Sequence, residues 1–503
     1  MNRFKLNNQF VPTIVAVSVL LLTTGCAVGP DFSRPKTPEV TEFTIEPLAI
    51  QTASAPVPGG EVQSFVRDEN IPQQWWTLFH SPELNALIEQ SIKNNPSLQQ
   101  AEAALRVAQE TVYAQQGAYF PDVSANYSPS RQREALGTVS SSAASGASLF
   151  NLHTAQLNVS YTLDVFGANR RAVESLQAQA DSQLFLREAA YLSLTSNVVA
   201  AAVQEASLRA QIEATNQMIT ILQQQLELIR RQVELGAVPQ ASVVAQISLL
   251  AQTKASLPPL QKQLAQQRDL LSALAGRLPG EGMPQQFELS MLQLPQTLPV
   301  SLPSRLVEHR PDVRAAEEQL HSASAEIGVA KANMLPQFTL SANGGSMATQ
   351  ISQLFKSGTG FWTIAGGITQ PLFDGGTLLH KKRAAEAAYD QAAAQYRSTV
   401  IGAFQNVADT LLALQYDADG MQTAEVAERA AAESLAIAQR QVELGDIAYV
   451  TLLNAEQSWQ QARIALVQAT ANRYSDTAAL FQALGGGWWN RADLTATDTD
   501  AKP

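Results

Sequence analysis

Five histidines, one cysteine and seven methionines are the side chains of this 503-residue sequence best suited to metal ligation or nucleophilic attack. Their spacing argues against both. His80, His153, His309, His321 and His380 never fall three or four positions apart, so no helical face presents an imidazole pair to zinc. No zinc or nucleophile motif accompanies them, and scattered histidines usually serve surface or packing roles. One cysteine and seven methionines are too few for a soft-metal relay. A formal net charge of −11 lacks the basic footprint that nucleic acid requires. An enzyme is therefore not expected, and neither is a nucleic-acid partner. The lone thiol, Cys26, remains, and a single cysteine cannot close an intrachain disulfide.

The residues before that thiol say what it is for. Arg3 and Lys5 form a short basic region, Val11 to Leu22 is an apolar run, and L-L-T-T-G-C follows. Twelve apolar-biased residues are too short to span a bilayer but suit the core of a signal peptide. The stretch resembles a bacterial lipoprotein signal covering residues 1–25, cleaved before Cys26, whose thiol then carries a covalent lipid. No other cofactor is expected. Thr23 stands where such signals usually have leucine. Ala27 follows the cysteine in place of the aspartate that favours retention at the inner membrane, which points outward. Residues 26–70, rich in Pro, Thr, Ser and Val and without periodicity, read as a lipidated extended tether.

The elements beyond are written twice. R-Q-V-E-L-G occupies Arg231 to Gly236 and again Arg440 to Gly445, 209 positions later. Asn95-Pro96 and Arg310-Pro311 open similar stretches, in which Ala101, Glu102, Leu105 and Ala108 recur as Ala316, Glu317, Leu320 and Ala323. A repeat of this length is too long for a solenoid and fits half of a domain. It divides the chain into a first repeat at 71–280, a linker at 281–303, a second repeat at 304–487 and a polar tail at 488–503.

Each repeat pairs short strands with a very long helix. Leu157, Val159, Tyr161, Leu163 and Val165 alternate with polar residues, as do Val123, Ala125 and Tyr127, and Phe338, Leu340 and Ala342. Period two with one apolar face marks a half-buried strand. Strands are expected near 121–130 and 154–166, then near 335–347 and 361–373, the last interrupted by Gly366-Gly367. From Ala172 to Leu235 there is neither glycine nor proline, and a helix of that extent runs about 96 Å. Thr377 to Leu444 is its counterpart, and returning helices follow at Gln240 to Gly276 and Asp446 to Leu484. Both R-Q-V-E-L-G glycines thus read as helix-ending turns at two equivalent hairpin tips. Strands inserted between such helices have open edges, which lipid does not tolerate, and four strands cannot close a barrel. Membrane insertion therefore requires subunits to combine their strands.

Several ordered stretches carry a family resemblance. They are G-C-A-V-G-P-D-F-S-R-P from Gly25 to Pro35, W-W-T-L-F from Trp75 followed by P-E-L from Pro82, A-S-L-P-P-L from Ala255 and L-A-G-R-L-P-G from Leu274. The longest is L-V-E-H-R-P-D-V-R-A-A-E from Leu306, with I-G-V-A-K-A from Ile327 and P-L-F-D-G-G from Pro371. Together they resemble the TolC-related outer-membrane factors of Gram-negative export systems, in their NodT-like lipoprotein branch. The resemblance implies a mainly α fold with a small β part. A homotrimer would build a 12-stranded outer-membrane barrel that continues as a helical barrel through the periplasm. It implies a passive exit duct for small molecules. The partners would be outer-membrane lipid, a periplasmic adaptor and an inner-membrane pump of the resistance-nodulation-division type. A duct for type I protein secretion is the alternative, and a structural coiled-coil lipoprotein a second one.

The same resemblance assigns sites. The adaptor would dock at the tips, on Arg231, Leu235, Gly236 and Ala237 of the first and Arg440, Leu444, Gly445 and Asp446 of the second. Relatives carry an aspartate ring at the second tip. V-T-L-L-N-A-E-Q from Val450 to Gln457 stands there, so the pore gate would comprise Val450, Asn454, Glu456 and Gln457. Asn454 has the shape of aspartate without its charge, and an asparagine ring could close by hydrogen bonding. Asp446 and Glu456 could carry the charge instead. Val233 and Val442 replace an aromatic found in many relatives.

Overall fold

The computed structural model describes residues 27–133 and 149–491. The expected signal peptide with Cys26, and the residues beyond Arg491 that include most of the expected tail, lie outside the described residues. Two compact units share the chain. The first takes residues up to Arg34, Leu105–Ser182 and Ala316–Tyr396; the second takes Pro35–Ala104, Gln183–Ala315 and the rest from Arg397.

The first unit holds a four-stranded antiparallel sheet. Its strands are β2 (Asp122–Arg133), β3 (Leu149–Leu163), β5 (Gln337–Ala348) and β6 (Gly360–Thr369), in the order β2-β3-β5-β6. The two repeats therefore meet through β3 and β5, with Leu163 opposite Phe338 and Leu157 opposite Gly344. Register places Val123, Ala125 and Tyr127 on one face with Leu157, Val159, Tyr161 and Leu163, continuing to Leu340, Ala342, Ile364 and Ile368. Ser124, Asn126, Asn158, Ser160, Ser341 and Asn343 occupy the other face. β3 begins earlier than the alternation suggested, and it also ends earlier, because the Asp164 carboxylate turns the chain into the next helix. It accepts from the backbone N–H of Asn169 and of Arg170, each at 2.9 Å. Asp374 does the same in the second repeat, accepting from Gly376 at 2.9 Å and Leu378 at 2.8 Å. Helix N-termini favour such carboxylates because their first N–H groups lack intrahelical partners.

Residues 28–34 form no helix or strand, yet they are docked. Phe32 stacks on His321 with ring centroids 4.4 Å apart. Arg171, buried, bonds Asp31 at 2.6 Å and Glu174 at 2.7 Å, and Arg34 reaches Glu317 at 2.7 Å. A Cβ on Gly29 would fall 2.5 Å from Gly328 Cα, and one on Gly328 would meet Arg171 and the Val28 carbonyl.

The second unit is built on helices. α3 (Ala168–Glu234) and α7 (Thr377–Leu444) each start in the first unit and contribute most of their length here. Each turns back through a shorter helix, α4 (Gln240–Leu274) and α8 (Tyr449–Ala483). Helices α1 (Pro82–Asn94) and α2 (Pro96–Gln116) precede the sheet strands, and α5 (Pro303–His309) and α6 (Pro311–Ala332) are their counterparts. Trp75, Trp76, Phe79, Tyr474 and Phe481 are fully buried together, Trp75 stacking on Phe481 at 5.2 Å.

Two parts of this unit depart from the sequence-based boundaries. The tether and the linker pair as a small parallel sheet, β1 (Ser64–Arg67) with β4 (Thr297–Val300). Arg473 is buried beneath it, donating to the carbonyls of Gly59 and Glu61, to Thr52 Oγ1 and to Gln63 Oε1 at 3.0 to 3.2 Å. These bonds hold residues 52–63 on α8. The polar tail also begins later than residue 488. Trp488 Nε1 donates to the His309 carbonyl at 2.6 Å, and Arg491 reaches buried Glu188 at 2.8 Å. An indole with a buried face packs where a polar tail would not.

Candidate functional site

Both hairpin tips end in the same backbone device. Gly236 and Gly445 adopt φ of 72° and 77°, a left-handed conformation that glycine reaches without penalty. Gly236 N–H donates to the Val233 carbonyl and Ala237 N–H to that of Gln232. At the second tip Gly445 donates to Val442 and Asp446 to Gln441. This is the Schellman closure, which satisfies the last helical carbonyls and stops the helix. It leaves equivalent surfaces. Arg231 and Arg440 are exposed, Leu235 is 83% and Leu444 70% exposed, and Ala237 and Asp446 lie open beside the glycines. Val233 and Val442 face the other way and pack on the hairpin cores.

The region expected to form a gate divides into two faces. Val450, Asn454 and Gln457 are exposed on one side of α8, at the i, i+4, i+7 spacing that aligns side chains along a helix. Glu456 does not join them, which corrects its assignment to the gate lining. It is fully buried on the opposite side. Two residues after Asn454, at 100° per residue, it cannot share Asn454's face. Burial pushes its carboxyl up to about 7, with Gln225 pulling more weakly the other way.

Around Glu456 runs a polar seam that the sequence reading missed. Tyr449 OH donates to Gln246 Oε1 at 2.9 Å. Gln246, itself buried, donates through Nε2 to the Leu222 carbonyl at 2.9 Å and to Gln225 Oε1 at 3.2 Å. The seam therefore ties α8 of the second hairpin to both helices of the first. Tyr449 and Trp459 flank it and pack against the apolar cores of both hairpins. Trp459 Nε1 also donates to Glu428 on α7 at 3.0 Å. A signal was present: Tyr449, Leu452, Glu456 and Trp459 follow the i, i+3, i+7, i+10 spacing of a buried stripe, with a carboxylate at a core position.

Among the described residues, no cluster of His, Cys, Asp or Glu could hold a metal ion. No described helix is long and apolar enough to cross a membrane. Among the described residues, the four-stranded sheet carries an alternating apolar face of the kind membrane-spanning strands present. At the ends of that sheet, β2 is exposed along all twelve residues and β6 is almost wholly exposed.

Comparison with known proteins agrees with this geometry. The chain is 29% identical over 478 residues to the probable efflux pump outer membrane protein TtgC of Pseudomonas putida, covering 95% of this chain and 96% of the relative. It is 30% identical to the pyoverdine export outer membrane protein OpmQ of the same species, over 86% of this chain and 92% of the relative. Among solved structures, the outer-membrane channel OprN superposes with a TM-score of 0.81 at 26% identity, over 92% of this chain and all of that one. The outer membrane protein VceC of Vibrio cholerae gives 0.77 at 28% identity, over 83% of this chain and all of that one. The family model described as outer membrane efflux protein matches residues 87–277 and 302–486, one segment in each repeat. With its duplicated hairpins, paired strands and twin tips accounted for by that match, the chain belongs to the outer membrane efflux protein family.

Proposed function

We propose that the protein is the passive exit duct of a tripartite efflux system in a Gram-negative outer membrane, working as a homotrimer. The observation that carries this reading is the sheet. It has an apolar face, a polar face and two unpaired edges, and open edges in lipid must be paired. Three copies pairing β6 of one with β2 of the next give a closed barrel of about twelve strands, an even number within the known range. Cys26 carries the lipid that anchors the N-terminus, and the docked residues 28–34 continue from it. The tips at Arg231–Ala237 and Arg440–Asp446 receive a periplasmic adaptor, which joins the duct to an inner-membrane pump of the resistance-nodulation-division type. Val450, Asn454 and Gln457 line the resting constriction, and adaptor docking spreads the hairpins to open it. The relatives' names cover antibiotic efflux, toluene efflux and pyoverdine export. The cargo here is accordingly a small molecule chosen by the pump.

A photo-crosslinking residue at Ala237 or Asp446 tests the docking assignment in living cells. Capture of one adaptor at both positions is expected. A barrel-inserted trimer that captures none would place docking elsewhere. Cys26→Ser should abolish incorporation of labelled palmitate, which is the direct check on the lipid.

A further inference from the structure

Glu456 is a charged residue type sealed inside the tip with nothing to neutralise it. Its side chain has no exposed surface, no cation among the described residues pairs with it, and neither carboxylate oxygen makes a hydrogen bond of full geometry; the Gln225 amide, which approaches it, offsets only part of the burial. Each neighbouring element presents something other than a cation. α3 brings the Gln225 amide. α4 brings Val243 and Gln246, whose amide and oxygen are already spent on Leu222, Gln225 and Tyr449. α7 presents Leu435 and Ala438 to this stretch, and its Glu428 accepts from Trp459 and lies 3.5 Å from Arg463. On α8 itself the facing titratable group is Tyr449, whose phenol is pushed up by burial and by Glu456.

An unpaired buried carboxylate is costly, and the cheapest remedy is a proton. When α8 moves off the first hairpin, the group meets water and ionises freely. Packing of the two hairpins and protonation of Glu456 are therefore linked.

We propose that Glu456 is a proton-operated lock between the two hairpins: neutral, it keeps α8 seated on α3 and α4, and ionised, it releases α8. The lock is a property of the packing itself; its role in gating rests on the channel reading proposed above. The direction follows from the raised value. The carboxyl titrates at about 7 when packed, against 4.5 for the free side chain. The packed state therefore carries no penalty below pH about 4.5 and loses ground as pH rises through the window up to about 7, above which the penalty is complete. Between pH about 5.5 and about 8 the opening equilibrium should rise roughly thirty-fold. Acid closes the tip and mild alkali loosens it.

Hydrogen exchange of the full-length protein in detergent reads this directly. Peptides spanning Tyr449 to Arg463 are compared between wild type and Glu456→Gln at the same pH, so that the chemical exchange rate cancels. The wild-type to variant rate ratio should climb roughly thirty-fold from pH about 5.5 to about 8. A ratio that does not change with pH overturns the lock. Glu456→Met, a second neutral side chain of similar length, gives the same comparison should the glutamine variant fail to fold. Single-channel conductance separates the two readings. A pH-dependent exchange ratio with conductance flat in pH upholds the lock and counts against a gate at this tip. Conductance and exchange that change together uphold both.

Discussion

The two hairpins share a turn and differ in what they do with the helix that follows. α4 and α8 begin 209 residues apart, are 35 residues long, and leave glycines capped by the same pair of backbone bonds. Near the tip, α4 buries one narrow stripe, Val243, Gln246, Leu250 and Thr253. In α8, Leu452 takes the place equivalent to Val243, but Leu453 and Glu456 are buried as well. The counterpart of Glu456 is Ile247, which is 43% exposed. The apolar residue is outside and the carboxylate inside. α8 serves two neighbours, its own α7 and the first hairpin, so its buried face must be wider. Duplication preserved the turn, a local backbone problem, and let the faces diverge because each copy meets a different environment.

That difference can be broken or sharpened by substitution. The largest effect should come from the first hairpin's core, where Met218, Leu222, Leu226, Ile229, Val243 and Leu250 form one cluster. Leu222→Ala should weaken the protection of that hairpin's amides by about 3 kcal/mol. Leu435→Ala, in the smaller cluster with Ala438 and Leu452, should cost about 2 kcal/mol in the same hydrogen-exchange measurement. Equal losses would mean that the two cores are not unequal after all.

The glycines should show the reverse, an identical response. No atom lies within 4 Å of a Cβ built on Gly236 or Gly445, so only left-handed backbone strain is at stake. Gly236→Ala and Gly445→Ala should each destabilise the local turn by about 1 kcal/mol, read from exchange of the amides that close it. A larger loss at one tip would show that its surroundings, and not the cap alone, shape that turn. The smallest change, Tyr449→Phe, removes the hydroxyl that binds Gln246 while keeping the ring. It should loosen the contact between hairpins by about 1 kcal/mol without altering exchange within α3. An effect confined to α8's own partner α7 would remove the hydroxyl from the link between hairpins.

Legibility in the sequence followed range. The alternation from Leu157 to Leu163 and the glycine-free stretch from Ala172 to Leu235 each encode a local periodicity, and β3 and α3 lie there. The tips were legible because a glycine closing a helix answers to backbone geometry over six residues. Strand ends were less so, since the carboxylate of Asp164 binding Asn169 and Arg170 decides where β3 stops. The pairing of Ser64–Arg67 with Thr297–Val300 joins four-residue strands more than 200 positions apart, and neither segment has a period long enough to declare itself. For the candidate site, Val450, Asn454 and Gln457 fall on one exposed face as helical spacing allows. Glu456 joins them in the sequence reading because it lies two residues from Asn454 and could supply the charge Asn454 lacks; a carboxylate is ordinarily a surface residue, and nothing local marks this one as buried.

By itself, then, the sequence determined the duplicated plan, the four membrane-type strands, the long helices and the two glycine turns. Each depends on residues within a few positions of one another, where sterics and periodicity suffice. Only the tertiary structure decided that Arg473 holds the N-terminal segment, that Trp488 belongs to the packed body, and that Glu456 faces inward onto the other hairpin. Those outcomes depend on which helix arrives as a neighbour. Burial, and with it the proton on Glu456, is a property of the assembled faces and not of the residue.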